Sequence, residues 1–346
     1  MFYFSSDISV LVRQQSLTAE KNGGLSTEVL AYIYGQKLFK LFVPTALNGV
    51  GIDLPESIKV FEEAARIDGS FGWLITIGAG GGYFAPIFDR GVGEELFSPA
   101  EAVVAGSGHV SGKAISVDGG YKVTGSWRYC SGANYATIFT ANCSLDDGTV
   151  RSFIFTPDQV VVVSDWDAYG LRATGSHTIR VTDALVPRER TFDIATGARH
   201  YEHPVYQYPF LSFAQASFAA VCIGIAKHFL DEAVLDVDAH ASDTARYPFV
   251  HGLVTRQQKL LADASETFYD ALNDSWRIQL SDGILSESIQ AEIALHSRNV
   301  TTIALLTVQK VYPYLGLAVT MQQSTINRCW RDLHTASQHI LLKSFE

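Results

Sequence analysis

The chain has 346 residues, 47% of them hydrophobic, 18% charged and 12% aromatic, a globular composition with room for two or three domains or one large layered fold. Disorder needs low hydrophobicity with high net charge, and that combination is absent. The 26 basic and 36 acidic residues give a formal charge of -10 with no basic cluster, which argues against a nucleic-acid partner.

Residues 1–12 (MFYFSSDISVLV) lack the basic start and long apolar run of a secretory leader. No run of about 18 consecutive apolar residues occurs, so no membrane span is expected. The most apolar helical stretch, 218–226, reads as core. Cys130, Cys143, Cys222 and Cys329 lie far apart without a CxxC pair, the pattern of reduced, buried thiols in a cytoplasmic protein. Segments 26–42 and 55–67 space apolar residues three and four apart, which predicts helices, with Ser26, Glu28 and Pro55 suited to their first turns. Asp68-Gly69 breaks the pattern, which resumes over 71–87. Gly78, Gly80, Gly81 and Gly82 weaken that helix and permit close approach of a backbone or a flat ligand.

Residues 102–192 alternate apolar and polar in short runs. KAISV (113–117), Asp118-Gly119-Gly120 and YKVTGSWRY (121–129) predict a hairpin, as do TIFTANC (137–143), Asp146-Asp147-Gly148 and VRSFIF (150–155). VVVV (160–163) and HTIRV (177–181) are further strands, and the even spacing suggests a small antiparallel barrel or sandwich. Four helical segments follow at 212–239, 250–280, 285–312 and 320–342, a bundle pattern. The breakers between them are Arg246-Tyr247-Pro248, Ser281-Asp282-Gly283 and Pro313-Tyr314-Leu315-Gly316. No internal repeat is visible.

Four stretches in this order carry a resemblance: EEAARIDGSFGW (62–73), GYKVTGSWRYCSGANYA (120–136), YGLRATGSHTIRVTDALVPRERTF (169–192) and RCWRDLHTASQH (328–339). They resemble the acyl-CoA dehydrogenase superfamily of flavoproteins. The resemblance implies an α+β fold with an N-terminal helical domain (1–101), a central antiparallel β-barrel (102–204) and a C-terminal four-helix bundle (205–346). The dehydrogenases of this superfamily use a glutamate base, yet the two corresponding places hold His339-Ile340 and Ala214, and VVAGSGHVSGKA (103–114) replaces their Thr-Glu and Gly-Ser-Asp run. RDLHTASQH and WRYCSG instead resemble the two-component, group D flavin-dependent monooxygenases. That branch implies reduced flavin, FMN or FAD, supplied by a separate flavin reductase, and oxygen insertion into a small aromatic or electron-rich substrate. It also implies a homo-oligomer, dimer or tetramer, formed through helices around Ile223 and Leu305. Dehydrogenase-like oxidation of a CH–CH bond with FAD and a catalytically silent flavin-binding relative are the alternatives. Some members carry a second histidine in the glycine-rich wall, where this chain has GAGGGYF (78–84), so His109 or Tyr83 would take its place.

The resemblance assigns catalytic roles to His339, Ser131 and His109, and cofactor contacts to Tyr129, Cys130, Ser131, Arg172, Thr174 and Ser176. On one helix His339 and His334 point about 140° apart, so only His339 is assigned to the pocket, as a neutral imidazole suited to proton transfer. Ser131 is expected near flavin N5 and O4, with Cys130 packing beside the ring. Arg172, Thr174 and Ser176 alternate and would share a strand face toward the phosphate or ring. His109 reads as a loop residue at the pocket border. His200 and His203 stand three apart without further ligands, so no metal site is expected. Among Trp127, Tyr129, Phe84, Tyr206, Tyr208 and Phe210, some are expected to line the pocket.

Overall fold

Five helices open the computed structural model, which describes residues 4–345; the first three residues of the 1–12 segment lie outside it. They are α1 (Ser6–Asn22), α2 (Thr27–Gly35), α3 (Leu54–Ile67), α4 (Gly69–Gly81) and α5 (Arg90–Phe97). Ser5, Ser26 and Asp68 accept hydrogen bonds from the first-turn amides of Ile8, Val29 and Phe71, so these helices start at side-chain caps. The helix expected over 26–42 stops at Gly35. Lys37 takes φ 55°, and a 3-10 turn, Leu38–Lys40, carries the chain into the core. The glycine-rich helix does form, because its glycines meet neighbours: a Cβ on Gly78 would fall 2.4 Å from Phe39, and one on Gly81 2.4 Å from Val104. Close packing therefore compensates their poor helix propensity.

The strands are β1 (Val104–Val117), β2 (Gly120–Cys130), β3 (Ile138–Leu145), β4 (Val150–Phe155), β5 (Val161–Val163), β6 (His177–Pro187) and β7 (Thr191–Phe192). Both expected hairpins are present, with Val117 opposite Gly120 and Ser144 opposite Val150. The expected all-antiparallel barrel is not what the pairing gives. The strands make one seven-stranded sheet in the order β5-β6-β2-β1-β3-β4-β7, and β1 runs parallel to β3. A second apolar core lies within it around Trp127, Phe139, Phe153, Phe155 and Ile179.

The helices that follow are α6 (Pro204–Gln207), α7 (Phe210–Ala239), α8 (Arg246–Asp282), α9 (Glu287–Val311) and α10 (Thr325–Ala336). Arg246-Tyr247-Pro248 is the first turn of α8 rather than a break, since proline there forfeits no intrahelical bond. α10 ends at Ala336, well short of the expected 342. By length and composition α7 is long and apolar enough to cross a membrane, but most of it is buried in the chain's own core. Ile223 is fully buried there, so it cannot meet a second copy as expected. α7 packs on α3 along one side and on α8, α9 and α10 along others. The α3–α7 approach is backbone-close: a Cβ on Gly224 would sit 2.2 Å from the Glu62 carbonyl oxygen. Glu62 accepts from Tyr269 of α8 at 2.7 Å and pairs with Lys227 of α7.

Candidate active site

β2 ends in a turn in which Tyr129 and Gly132 take φ 67° and 78°, a left-handed backbone that a tyrosine adopts only under tertiary constraint. The Gly132 amide donates to the Thr174 carbonyl at 2.9 Å, pinning this turn to a second one, the 3-10 segment Arg172–Thr174, flanked by Leu171 and Gly175 at φ 51° and 50°. The two turns bring three hydroxyls together. Ser131 Oγ lies 2.7 Å from Ser176 Oγ, which lies 2.6 Å from Thr174 Oγ1, which donates to the Leu171 carbonyl at 2.7 Å. Trp73 Nε1 of α4 donates to Ser131 Oγ at 3.0 Å. All four residues are buried.

Trp73 also stacks on Phe218 of α7, with centroids 5.3 Å apart and planes 17° from parallel. The His339 ring lies 4.1 Å from Phe218 and 6.1 Å from Trp73. Expected on a helix, His339 instead follows α10 and caps the 3-10 turn Ile340–Leu342, with Nδ1 accepting from the Leu341 amide at 3.4 Å. The helical-wheel argument against His334 therefore fails, because the two histidines do not share a helix. His334 stacks on Trp330 at 4.0 Å and approaches Gln309. Burial pushes the His339 imidazole down to about 4, with a smaller contribution from His109. A neutral ring whose Nδ1 accepts carries its hydrogen on Nε2, so His339 offers a donor at neutral pH. Its expected role as a base is correspondingly weakened.

The remaining candidates divide. His109 is exposed on β1, at a register shift and not in a loop, near enough to perturb His339. Tyr129 is exposed, edge-on to Trp166 and beneath Arg128. The Cys130 side chain belongs to the sheet core, where burial pushes its thiol up to about 12, so only its backbone is placed to meet a ligand. Arg172 does not share a strand face with Thr174 and Ser176: it stands in the 3-10 turn, donates to the Ala168 carbonyl and pairs with Asp167. Trp127 is sealed in the sheet core, and the Tyr83, Tyr206 and Tyr208 hydroxyls bond to Tyr208 O, Phe42 O and Ser275. Phe84 and Phe210 remain partly buried. His203 caps α6 and faces Asp53, and among the described residues no group of three metal-ligating side chains gathers.

Sequence reasoning missed the support of this site. Buried Asp332 accepts from the Leu171 amide at 2.6 Å, fixing the turn that carries Thr174. Burial and the nearby Asp68 carboxylate raise its pKa. Arg328 sits 3.5 Å from Asp68, and Arg331 makes a bidentate pair with Glu20. The role of Trp73 was also missed; a buried indole must place its N–H, and that was the available signal.

These residues fit a flavin. The donor set combines a hydroxyl with an uncommitted lone pair, an imidazole N–H and flat aromatic surface. On α4, a Cβ on Gly80 would meet only Phe213 Cε1, at an ordinary contact distance of 3.9 Å.

Residues 216–344 match the family described as Acyl-CoA dehydrogenase, C-terminal domain. The chain is 25% identical over 327 residues to indole-3-acetate monooxygenase of Pseudomonas putida, covering 92% of this chain and 84% of that protein. It is 23% identical over 346 residues to the flavin-dependent monooxygenase, oxygenase subunit HsaA, of Mycobacterium tuberculosis, covering 95% and 88%. The fold matches 3-HSA hydroxylase from Rhodococcus sp. RHA1 with a TM-score of 0.91 at 20% identity, covering 97% of this chain and 91% of that one. XiaF from Streptomyces sp., solved with FADH2 and glycerol, matches at 0.80 and 19%, covering 97% and 90%. The C-terminal part of the chain thus resembles the acyl-CoA dehydrogenase C-terminal domain, and relatives matched over most of its length are flavin-dependent oxidoreductases. Several of these relatives are named as the oxygenase subunit or oxygenase component of a flavin-dependent hydroxylating enzyme.

Proposed function

We propose that this chain is the oxygenase component of a two-component monooxygenase that hydroxylates a small aromatic substrate, with Ser131, His339, Trp73 and Phe218 forming its reaction chamber. The observation that supports this reading is the meeting of Ser131 and His339, from the two stretches that resemble the group D enzymes, at one stacked aromatic wall. The aromatic substrate class is supported by the names of the relatives, such as indole-3-acetate monooxygenase. Bound reduced flavin, delivered by a separate reductase, supplies the electrons for dioxygen activation.

Ser131, with the backbone of Tyr129 and Cys130 beside it, would hold the flavin. The Nε2 hydrogen of His339 orients oxygen or the substrate hydroxyl. Trp73 and Phe218 exclude water and offer a flat face to a planar substrate. Thr174 and Ser176 hold Ser131. His109 borders the entrance. A second copy docks on the outer face of α9, where Leu295 and Leu306 are exposed. The experiment mixes purified protein anaerobically with reduced FMN or FAD, then adds oxygen and a panel of phenols and indoles. Oxygenated product is expected; oxidation of the flavin with hydrogen peroxide as the sole product for every member of the panel overturns the reading.

A further inference from the structure

The three hydroxyls can share their hydrogens in one way only. A carbonyl oxygen cannot donate, so at 2.7 Å from Leu171 O the Thr174 hydrogen must point to that oxygen. Thr174 Oγ1 then accepts at 2.6 Å, and the hydrogen between it and Ser176 belongs to Ser176. Ser176 Oγ in turn accepts at 2.7 Å from Ser131, whose single hydrogen is thereby spent. Trp73 Nε1 fills one lone pair of Ser131 at 3.0 Å. Ser131 has one capacity left, an acceptor. Burial of all three hydroxyls removes water as an alternative partner and keeps this order strict.

We propose that Ser176 and Thr174 are positioning residues that lock Ser131 as a hydrogen-bond acceptor, so that the site selects reduced over oxidised flavin. The inference rests on the flavin reading above. Reduced flavin carries a hydrogen on N5 and can donate to Ser131. Oxidised flavin has a lone pair there, which would face the lone pair of Ser131 with neither side able to donate. Gaining the bond in one state and leaving buried polar groups unpaired in the other is worth about 10- to 100-fold in relative affinity. The direction suits a protein that must capture the flavin before oxidation and release it afterwards.

The test measures dissociation constants of oxidised and reduced FMN and FAD, the latter anaerobically, for the wild type and variants. The ratio is checked as the shift in flavin potential on binding, roughly 30 mV per tenfold for the two-electron couple. The wild type is expected to prefer the reduced form at least tenfold. Ser176→Ala and Thr174→Val free the Ser131 hydrogen to turn to the ligand, so the preference should shrink about tenfold, mainly through tighter binding of oxidised flavin. Thr174→Ser keeps the terminal hydroxyl and should keep the preference. Equal weakening of both redox states in Ser176→Ala and Thr174→Val, or a wild type that binds both equally, overturns the proposal. A wild type that binds neither flavin in either state overturns the flavin reading itself.

Discussion

At neutral pH the His339 ring offers the chamber a hydrogen, because burial holds it neutral and its Nδ1 is turned back to the Leu341 amide. His339→Ala should lower oxygenated product at least tenfold, a floor below the roughly 10²–10⁴-fold that a positioned proton donor contributes, while reduced-flavin affinity stays within about twofold. Hydrogen peroxide released without product should rise. His334→Ala, stacked on Trp330 away from that wall, should change neither; equal losses in the two variants would remove this turn from the chemistry. The depressed pKa has a consequence for stability with a definite sign. The unfolded chain protonates His339 near the ordinary value of about 6.5 and the folded chain only near about 4, so its contribution is complete above 6.5 and is lost as pH falls toward 4. In urea unfolding, His339→Gln should therefore lose less stability than the wild type between pH 7 and pH 5. This behaviour was not legible in the sequence. The motif located His339, but the end of α10 at Ala336, which decides where the ring points, is hidden by apolar spacing that continues to Leu342.

Among the elements, those that local chemistry specifies were legible and those that long-range pairing specifies were not. Asp118-Gly119 and Asp146-Asp147-Gly148 dictate tight turns, and both hairpins followed from them. The parallel pairing of β1 with β3 joins strands that β2 separates along the chain and leaves no local mark, so an antiparallel barrel was expected in its place. Thr174 and Ser176 looked like alternate residues of a strand, yet they meet because Leu171 and Gly175 both turn left-handed around a 3-10 segment. The buried acceptor of Asp332, more than 150 residues further along, and the Gly132 amide hold that turn. Asp332→Ala should destabilise the fold by about 2–4 kcal/mol in denaturant titration, since it strips a buried amide of its partner and leaves Arg328 and Asp68 in an altered buried charge balance. Asp332→Asn keeps a carbonyl acceptor for the Leu171 amide and should cost less than half as much. The contact of α3 with α7 is equally intolerant: Gly224→Ala forces a methyl onto the Glu62 carbonyl and should cost about 1–3 kcal/mol.

For the whole molecule, His339-Ile340 and Ala214 stand where the resemblance leads one to expect a dehydrogenase's glutamate base. Acyl-CoA thioesters of any chain length should fail to bleach bound oxidised flavin anaerobically, because α-proton abstraction requires a placed base. Rapid bleaching would move the chain to the dehydrogenase branch. The exposed leucines on α9 concern assembly. Leu295 and Leu306 stand 11 residues apart, three helical turns, and so share one face. An obligate interface of over about 2,000 Å² is expected to include them. Light scattering at micromolar concentration should give a dimer or tetramer, and Leu295→Glu with Leu306→Glu should reduce it toward monomer. A monomeric wild type would overturn the assembly.

The pairing of α3 with α7 also orders events on the ribosome. The Glu62–Ala65 face of α3 is complete only when Gly224 and Lys227 lie against it, and those residues are made more than 140 positions later. At about 5–20 residues per second, the first helices wait roughly 10–30 s with that face exposed. A chain truncated before Pro209 would carry the exposed face permanently, and the expected outcome is a chaperone-bound or aggregated fragment rather than a soluble folded one.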